Sequence, residues 1–179
     1  MSQLSPLLEH NAAFAARGGH LGVPLVPKLP VFVVTCLDPR TDPAEFLGLG
    51  PGDAPVVRNA GGRITDAVID DIAFISYLAE SMIADGPLFE VAVIHHTACG
   101  TGFLADAAFR AGFASRSGLD EASLAAEAVI DPERTVAHDV ALLLASPKVS
   151  PRITAAGYVY DLDTGHTRLV VPAAPPTTR

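Results

Sequence analysis

Three side chains of this sequence are of types that bind transition metals and are also spaced as ligands: Cys36, His96 and Cys99, and the chain has no further cysteine. His96 and Cys99 form a His-x-x-Cys segment, which offers two ligands from one turn, and Cys36 offers a third from a distance. Zinc prefers thiolate and imidazole ligands in a tetrahedral arrangement. Three protein ligands leave one position for water, whose pKa zinc lowers to about 7 in favourable sites. The pattern therefore predicts a catalytic zinc that makes hydroxide available near neutral pH.

A carboxylate and a guanidinium follow Cys36 closely, at Asp38 and Arg40. We interpret them as the catalytic pair of the site. Paired in a fork with Arg40, Asp38 would accept a hydrogen bond from zinc-bound water and orient it. Released from Arg40, Asp38 could bind the zinc as a fourth ligand and close the site in a resting state. The alternative for the two cysteines is a pair of buried thiols or a disulfide, which does not explain the spacing of His96.

The elements that position these residues are predicted from hydrophobic patterning. Two continuous apolar runs, 31–35 and 89–94, have the pattern of strands buried on both faces of a parallel sheet, and they end at Cys36 and His95. Because side chains alternate along a strand, His95 should turn away from His96 and be structural. The remaining predicted elements are a helix over 5–17, a short strand over 55–57, helices over 66–84, 103–114, 121–130 and 131–144, and a hairpin of 153–160 and 167–171 around a turn at 161–165.

The alternation of strands and helices predicts an α/β fold. We expect a central, mostly parallel sheet of about four strands flanked by helices, with a C-terminal antiparallel strand or hairpin. The predicted regions are an N-terminal helical arm and linker over 1–30, a single zinc-binding α/β domain over 31–171 and a flexible tail over 172–179. Sites in such sheets lie beyond the carboxyl ends of the strands, which is where Cys36 and the segment from His96 to Cys99 fall.

Composition and charge exclude several classes of function. The formal net charge of −8 leaves no broad basic surface for a phosphate backbone, so we do not expect a nucleic-acid partner. No run is long and apolar enough to span a bilayer, and the start of the chain lacks a signal-peptide pattern. We therefore expect no membrane partner and a cytoplasmic location. A cysteine pair in a reducing compartment is more often metal-binding, catalytic or buried than disulfide-bonded.

Several segments, in this order and spacing, resemble the β-class carbonic anhydrases. They are Cys36-x-Asp38-x-Arg40, Pro51-Gly-Asp, Arg58-Asn-Ala-Gly-Gly62, His95-His-Thr-x-Cys99-Gly100 and Gly157-Tyr-Val-Tyr-Asp161, and they span most of the chain. The resemblance implies Zn²⁺ on Cys36, His96 and Cys99, and it implies that Asp38 and Arg40 form a dyad beside the zinc-bound water. It also implies reversible hydration of CO₂ to bicarbonate and a proton. The expected assembly is a homodimer or tetramer, with an N-terminal arm that wraps a partner subunit.

Two positions near the metal depart from that family's pattern. Pro39 stands where a small residue is usual, and it could hold the dyad open or misplace it. Ala98 replaces a residue that is commonly Asp, which removes a charge from the rim of the site. Two alternatives stay open: hydrolysis of carbonyl sulfide or carbon disulfide on the same zinc, and a catalytically weak protein with structural or regulatory zinc. Gly61 and Gly62 either form a tight turn or line the substrate cavity with bare backbone.

Overall fold

Four parallel strands and one antiparallel strand form a single sheet. The computed structural model describes residues 3–177. The strands are β1 (Val31–Cys36), β2 (Val56–Asn59), β3 (Glu90–His96), β4 (Thr154–Tyr160) and β5 (Thr167–Ala174). Their order across the sheet is β2-β1-β3-β4-β5, and only the β4–β5 pairing among them is antiparallel. The predicted α/β fold, with a mostly parallel sheet and a C-terminal hairpin, is confirmed.

Helices connect and cover these strands. Within residues 3–177 they are α1 (Ser5–Ala16), α2 (Pro43–Phe46), α3 (Asp66–Met82), α4 (Ala107–Ser117), α5 (Glu121–Ala126) and α6 (Pro132–Leu144), and short 3₁₀ turns occur at Ala60–Gly62 and Gly100–Ala105. Helix α6 starts where the sequence predicts it. The carboxylate of Asp131 accepts a hydrogen bond from the backbone N–H of Arg134 at 3.2 Å, and Pro132 stands in the first turn.

Two predicted helices have different bounds. The helix predicted over 103–114 begins later, because Asp106 caps the first turn of α4 with its carboxylate and the residues before it form a 3₁₀ turn. The helix predicted over 121–130 ends at Ala126, whose carbonyl accepts a hydrogen bond from the guanidinium of Arg63 at 2.7 Å. A local cap thus sets the start of α4, and a tertiary hydrogen bond takes the place of a helical one at the end of α5.

The C-terminal strand is longer than predicted. Strand β5 continues to Ala174, which pairs with Ala155 of β4. Beyond it, the backbone N–H of Thr177 donates to the carbonyl of Leu144 at 2.9 Å. The described part of the predicted tail is therefore tied to the domain, while residues 1, 2, 178 and 179 of the predicted arm and tail lie outside the described residues.

The main core lies between one face of the sheet and helices α3 and α6. Phe32 of β1, Ile72 of α3 and Leu143 of α6 are among its largest buried side chains. Val33 and Ile94 belong to a second, smaller cluster. Strands β1 and β3 are therefore buried on both faces, as their continuous apolar runs predict, and this burial places their carboxyl ends inside the molecule.

Helix α1 contributes no buried side chain. Its apolar residues Leu7 and Leu8 are 60% and 54% exposed. An isolated helix of this length is marginally stable in water, so α1 needs a surface to pack on. Between residues 3 and 177 no helix has the length and apolar character required to cross a membrane.

Candidate metal centre

Cys36, His96 and Cys99 come together at the carboxyl ends of two adjacent strands. Cys36 is the last residue of β1, His96 is the last residue of β3, and these strands are neighbours in parallel register. Cys99 follows in the turn after β3. All three residues are buried, and one ligand atom from each lies within 4.8 Å of the other two. The structure thus brings together the three side chains that the sequence singles out.

The spacing of the two sulfurs fits a shared tetrahedral metal. Two thiolates bound to one zinc at ~2.3 Å, with a tetrahedral angle between them, lie ~3.8 Å apart. The Sγ atoms of Cys36 and Cys99 are 3.9 Å apart. A disulfide needs about 2.0 Å between the sulfurs, and both residues are free cysteines, so the disulfide alternative is wrong. A set of two sulfurs and one imidazole also favours zinc over magnesium or calcium, which prefer oxygen ligands.

His96 has the tautomer of a metal ligand. Its Nδ1 lies 2.9 Å from the carbonyl oxygen of Thr97, so Nδ1 carries the proton and donates it. The lone pair is then on Nε2. This nitrogen is buried and has no hydrogen-bond partner within residues 3–177. Leaving such an atom unpaired costs about 1–3 kcal/mol, a cost that a metal ion bound to Nε2 would remove.

The sulfurs of Cys36 and Cys99 lie within hydrogen-bond distance of each other, and either sulfur can be the donor. The hydrogen bond to Cys99, together with burial, raises the pKa of Cys36 to about 12. The hydrogen bond from Cys36 lowers the pKa of Cys99 to about 6, helped by the hydroxyl of Thr101, whose oxygen lies 3.3 Å from the Cys99 sulfur. Because thiolates are the ligand form, a divalent cation held by these two sulfurs would displace the proton between them.

Asp38 and Arg40 form the fork that the sequence predicts. The Nε and Nη2 atoms of Arg40 donate to Oδ1 and Oδ2 of Asp38 at 2.9 and 2.6 Å. These hydrogen bonds lower the pKa of Asp38 to about 2, so the carboxyl is an anion at neutral pH. Arg40 Nη2 also donates to the carbonyl of Ala98 at 3.1 Å. Ala98 has a left-handed φ of 51°, which is uncommon outside glycine, and it connects the fork to the turn that carries Cys99.

Pro39 occupies a turn that suits it. The backbone N–H of Thr41 donates to the carbonyl of Asp38 at 3.0 Å and closes a four-residue turn with Pro39 in its second position. Proline is favoured there because its ring sets the required φ. The hydroxyl of Thr41 donates to the carbonyl of Cys36 at 3.1 Å. Pro39 thus stands within a turn in which Asp38 is paired with Arg40.

The side chain of Arg58 holds the turn after Cys36 in place by hydrogen bonds, a role that was not predicted from the sequence. Its Nε donates to the carbonyl of Cys36 at 3.0 Å, and its Nη2 donates to the carbonyl of Asp38 at 2.7 Å. A third nitrogen, Nη1, lies 3.2 Å from a carboxylate oxygen of Asp42. The signal in the sequence was its position directly after the predicted strand over 55–57; the structure adds that Arg58 pairs with Thr35 of β1, beside the turn after Cys36.

Comparisons with known proteins agree with this geometry. A family model described as carbonic anhydrase matches residues 31–115. A crystal structure of carbonic anhydrase from Streptococcus mutans matches with a TM-score of 0.78 and 36% identity, over 95% of this chain and 98% of that chain. The β-carbonic anhydrase 1 of Mycobacterium tuberculosis is 28% identical over 173 residues, which cover 96% of this chain and all of that protein. The chain belongs to the β-carbonic anhydrases.

A relative of this β-carbonic anhydrase is named for a different reaction. The carbon disulfide hydrolase of Acidithiobacillus thiooxidans is 28% identical over 187 residues, which cover 93% of this chain and 88% of that protein. Proteins named for two reactions are therefore similar to this chain over nearly its whole length.

A cavity of about 380 Å³ opens beside the candidate metal centre. Cys36 and Asp38 reach it, and Gly61 lines it. Its apolar wall consists of Leu37, Pro39, Leu104, Phe109 and Phe113. Gly62 is absent from this lining. Its backbone packs against β1 instead, and a methyl group on Gly62 would lie 2.9 Å from the backbone nitrogen of Cys36. Gly61 therefore lies where the cavity prediction puts it. Gly62 does not line the cavity; its lack of a side chain lets two backbones approach closely.

A buried ion pair lies on the side of β3 that carries His95, away from the candidate metal centre. Arg63 forms a fork with Asp139 of α6, with Nε–Oδ2 and Nη2–Oδ1 distances of 2.8 and 2.9 Å. The Nε2 atom of His95 is 3.2 Å from Asp139 Oδ2, and both side chains are fully buried. Burial alone raises the pKa of Asp139, but the hydrogen bonds from His95 and Arg63 outweigh it and lower the pKa to about 2. His95 lies on the side of β3 away from the metal centre, as strand alternation predicts, whereas Arg63 and Asp139 were not predicted.

Proposed function

We propose that this β-carbonic anhydrase catalyses the zinc-dependent reversible hydration of CO₂ to bicarbonate and a proton. The observation that carries the proposal is the buried Nε2 of His96, which has no partner among residues 3–177 and lies beside two sulfurs 3.9 Å apart. A tetrahedral cation accounts for all three atoms at once. Zn²⁺ held by Cys36, His96 and Cys99 would supply a Lewis acid that lowers the pKa of a water molecule to about 7.

Asp38 would orient the water that attacks CO₂. The carboxyl is an anion near neutral pH, because Arg40 holds its pKa at about 2, so it accepts hydrogen bonds and donates none. Oδ1 accepts from both the backbone N–H and the Nε of Arg40, while Oδ2 accepts from Nη2. Within residues 3–177 Oδ2 therefore keeps a lone pair for the water. Arg40 acts by holding this carboxylate in place.

The cavity wall would select the substrate by its lack of charge. CO₂ is small, linear and apolar, and Leu37, Phe109 and Phe113 offer it an apolar surface next to Cys36 and Asp38. Bicarbonate is an anion, and the same surface offers it little solvation. The apolar wall therefore favours entry of CO₂ and departure of bicarbonate. The proton released in the reaction passes to buffer.

A stopped-flow assay with a pH indicator tests the proposal. The zinc-replete protein should hydrate CO₂ well above the uncatalysed rate, and the protein stripped by a chelator should not, until zinc is restored. The metal content is measured on the same sample. One bound zinc per chain with no hydration above background would refute the proposed activity and leave the fold intact.

Carbon disulfide or carbonyl sulfide is the second candidate substrate. The similarity to the carbon disulfide hydrolase of Acidithiobacillus thiooxidans favours it. Both gases are linear and apolar like CO₂, so the same wall and the same Asp38 would serve. Release of sulfide from either gas, at a rate above that of CO₂ hydration by the same sample, would make this reaction the main one.

We propose a homodimer, or a tetramer built from dimers, as the working assembly. Helix α1 has no buried side chain, and its Leu7 and Leu8 are more than half exposed. Phe109 and Phe113, on the cavity wall, are 52% and 40% exposed. Apolar surface of this kind is covered most simply by a second copy of the chain. Light scattering of the purified protein decides it, since a monomeric mass at micromolar concentration would exclude the assembly.

A further inference from the structure

Arg63, Asp139 and His95 form a buried group that takes no part in the proposed chemistry. Their side chains are hydrogen-bonded to one another and to nearby residues. Asp139 accepts hydrogen bonds from two nitrogens of Arg63 and from the backbone N–H of Ile64 at 3.0 Å. Only 6% of Arg63 is exposed, and Asp139 and His95 are fully buried. Buried charges are tolerated only when they are paired and hydrogen-bonded, so this arrangement needs all of its members.

His95 acts as a donor between helix α6 and the turn at Ala60–Gly62. Its Nε2 faces two acceptors, the carboxylate of Asp139 and the carbonyl oxygen of Gly62, each at 3.2 Å. Because neither of these groups can donate a proton to it, Nε2 carries a proton itself. The other ring nitrogen lies 2.8 Å from the hydroxyl of Thr135. His95 therefore fixes Gly62 relative to Asp139.

This group is linked to Cys36 through the turn at Ala60–Gly62. Gly61 and Gly62 have left-handed φ values of 84° and 67°, and Gly62 packs so closely on β1 that a methyl group there would lie 2.9 Å from the backbone nitrogen of Cys36. A shift of this turn would therefore push on the backbone of Cys36, which carries the first sulfur ligand. The same shift would move Gly61, which lines the cavity.

A second path leads to Cys99. The Nη1 atom of Arg63 donates to the carbonyl of Ala126 at 2.7 Å and fixes the end of α5. Shortly after, the backbone N–H of Val129 donates to the hydroxyl of Thr101 at 3.3 Å. That hydroxyl lies 3.3 Å from the sulfur of Cys99. The group of Arg63, Asp139 and His95 is thus linked to both cysteine ligands through short chains of contacts.

We propose that Arg63, Asp139 and His95 are positioning residues that set the separation of the Cys36 and Cys99 sulfurs. The proposal rests on the proposed zinc function. Groups that hold metal ligands in place typically change metal affinity or activity by about 10–100-fold when removed. Loss of the His95 donor should therefore change the metal centre itself and not only the stability of the fold.

Two substitutions of His95 separate these effects. His95→Leu removes both ring nitrogens at similar volume, whereas His95→Gln keeps an N–H donor near the position of Nε2. Val140→Ala serves as the control, because Val140 is buried in the main core next to Asp139 and is not part of the group. Each protein is loaded with Co²⁺, its visible absorption spectrum is recorded, and its zinc affinity is measured by competition with a chromogenic chelator.

The expected result is an altered Co²⁺ spectrum and a zinc affinity about 10–100-fold weaker in His95→Leu. His95→Gln should recover most of both, and Val140→Ala should keep the wild-type values despite its lower melting temperature. Should His95→Leu fail to fold, Arg63→Met combined with Asp139→Leu replaces the ion pair by apolar groups, an exchange that folded proteins often accept, and the same spectral change is expected.

Two results would overturn the proposal, and they are distinguishable. If the wild type binds Co²⁺ and the His95 and ion-pair variants show its unchanged spectrum and affinity, the group serves stability alone. If the wild type binds neither Co²⁺ nor zinc at one per chain, the proposed function fails, and the positioning role fails with it.

Discussion

Gly62→Ala should damage the candidate metal centre by moving the backbone of Cys36, without replacing any ligand. Gly62 has a φ of 67°, and a methyl group on it would lie 2.9 Å from the backbone nitrogen of Cys36 and from the carbonyl carbon of Thr35. Both neighbours are backbone atoms, so neither can rotate away. The left-handed conformation costs an alanine roughly 1–2 kcal/mol, and overpacking of this kind costs about 1–3 kcal/mol more. The expected loss in the free energy of unfolding is therefore about 2–5 kcal/mol.

Gly165→Ala is the matched control. Gly165 has a φ of 72°, and a methyl group on it would meet no atom within 4 Å. This variant should lose only the roughly 1–2 kcal/mol of backbone strain. Denaturant unfolding in the presence of a chelator measures both variants, and competition with a chromogenic chelator measures their zinc affinity.

The difference between the two variants isolates the contact with Cys36. Gly62→Ala should be about 1–3 kcal/mol less stable than Gly165→Ala, and it should bind zinc more weakly, because its first sulfur ligand is displaced. Equal stability losses in the two variants, together with a wild-type zinc affinity in Gly62→Ala, would refute the reasoning.

Three further predictions concern the ligands, acid stability and assembly. Cys36→Ser and His96→Ala should lose bound zinc by elemental analysis, whereas Asp38→Ala should keep zinc and hydrate CO₂ about 10–100-fold more slowly; zinc retained in the first two variants would contradict the ligand assignment. The pKa of Asp139 is lowered from 3.8 to about 2, so its contribution to stability is present above about pH 4 and is lost as the pH falls through 2. In chelator-treated protein the wild type should therefore lose on the order of 2 kcal/mol more than Asp139→Asn between pH 4 and 2, and parallel urea-unfolding profiles would refute this. Leu7→Glu combined with Leu8→Glu should reduce the mass measured by light scattering, and an unchanged mass would exclude α1 from the interface.

The strands and the ligand positions could be predicted because their signals are local. The apolar run before Cys36 and the run before His96 each identify a buried strand without reference to any other part of the chain. Parallel pairing then brings the carboxyl ends of the two strands to one edge, whatever the details of packing. The predicted α/β fold needed no further information.

The parts that were missed depend on an exact helix boundary and on a contact between distant segments. Phe109 and Phe113 reach the cavity because α4 begins at Ala107, a boundary set by the cap at Asp106 and not by the apolar pattern. Their spacing of i and i+4 was the available signal, since it puts both rings on one face of a helix.

Asp139 offered a clearer signal. It lies between Val136 and Val140 on the face of α6 that packs against the sheet, so a charge at that position requires a buried partner. The sequence predicts that a partner exists but cannot identify it, because Arg63 lies 76 positions away along the chain and meets Asp139 only in the folded protein.

The two sulfurs at the edge of the sheet also join points of the chain that are 63 residues apart. In the unfolded protein, a permanent link of that length would remove roughly 4 kcal/mol of conformational entropy. A bound cation would therefore link β1 to β3 and close a loop of the chain that includes β2 and α3. Removal of the cation would release this link, so the protein should have a lower free energy of unfolding when stripped of metal, even where its folded shape is unchanged.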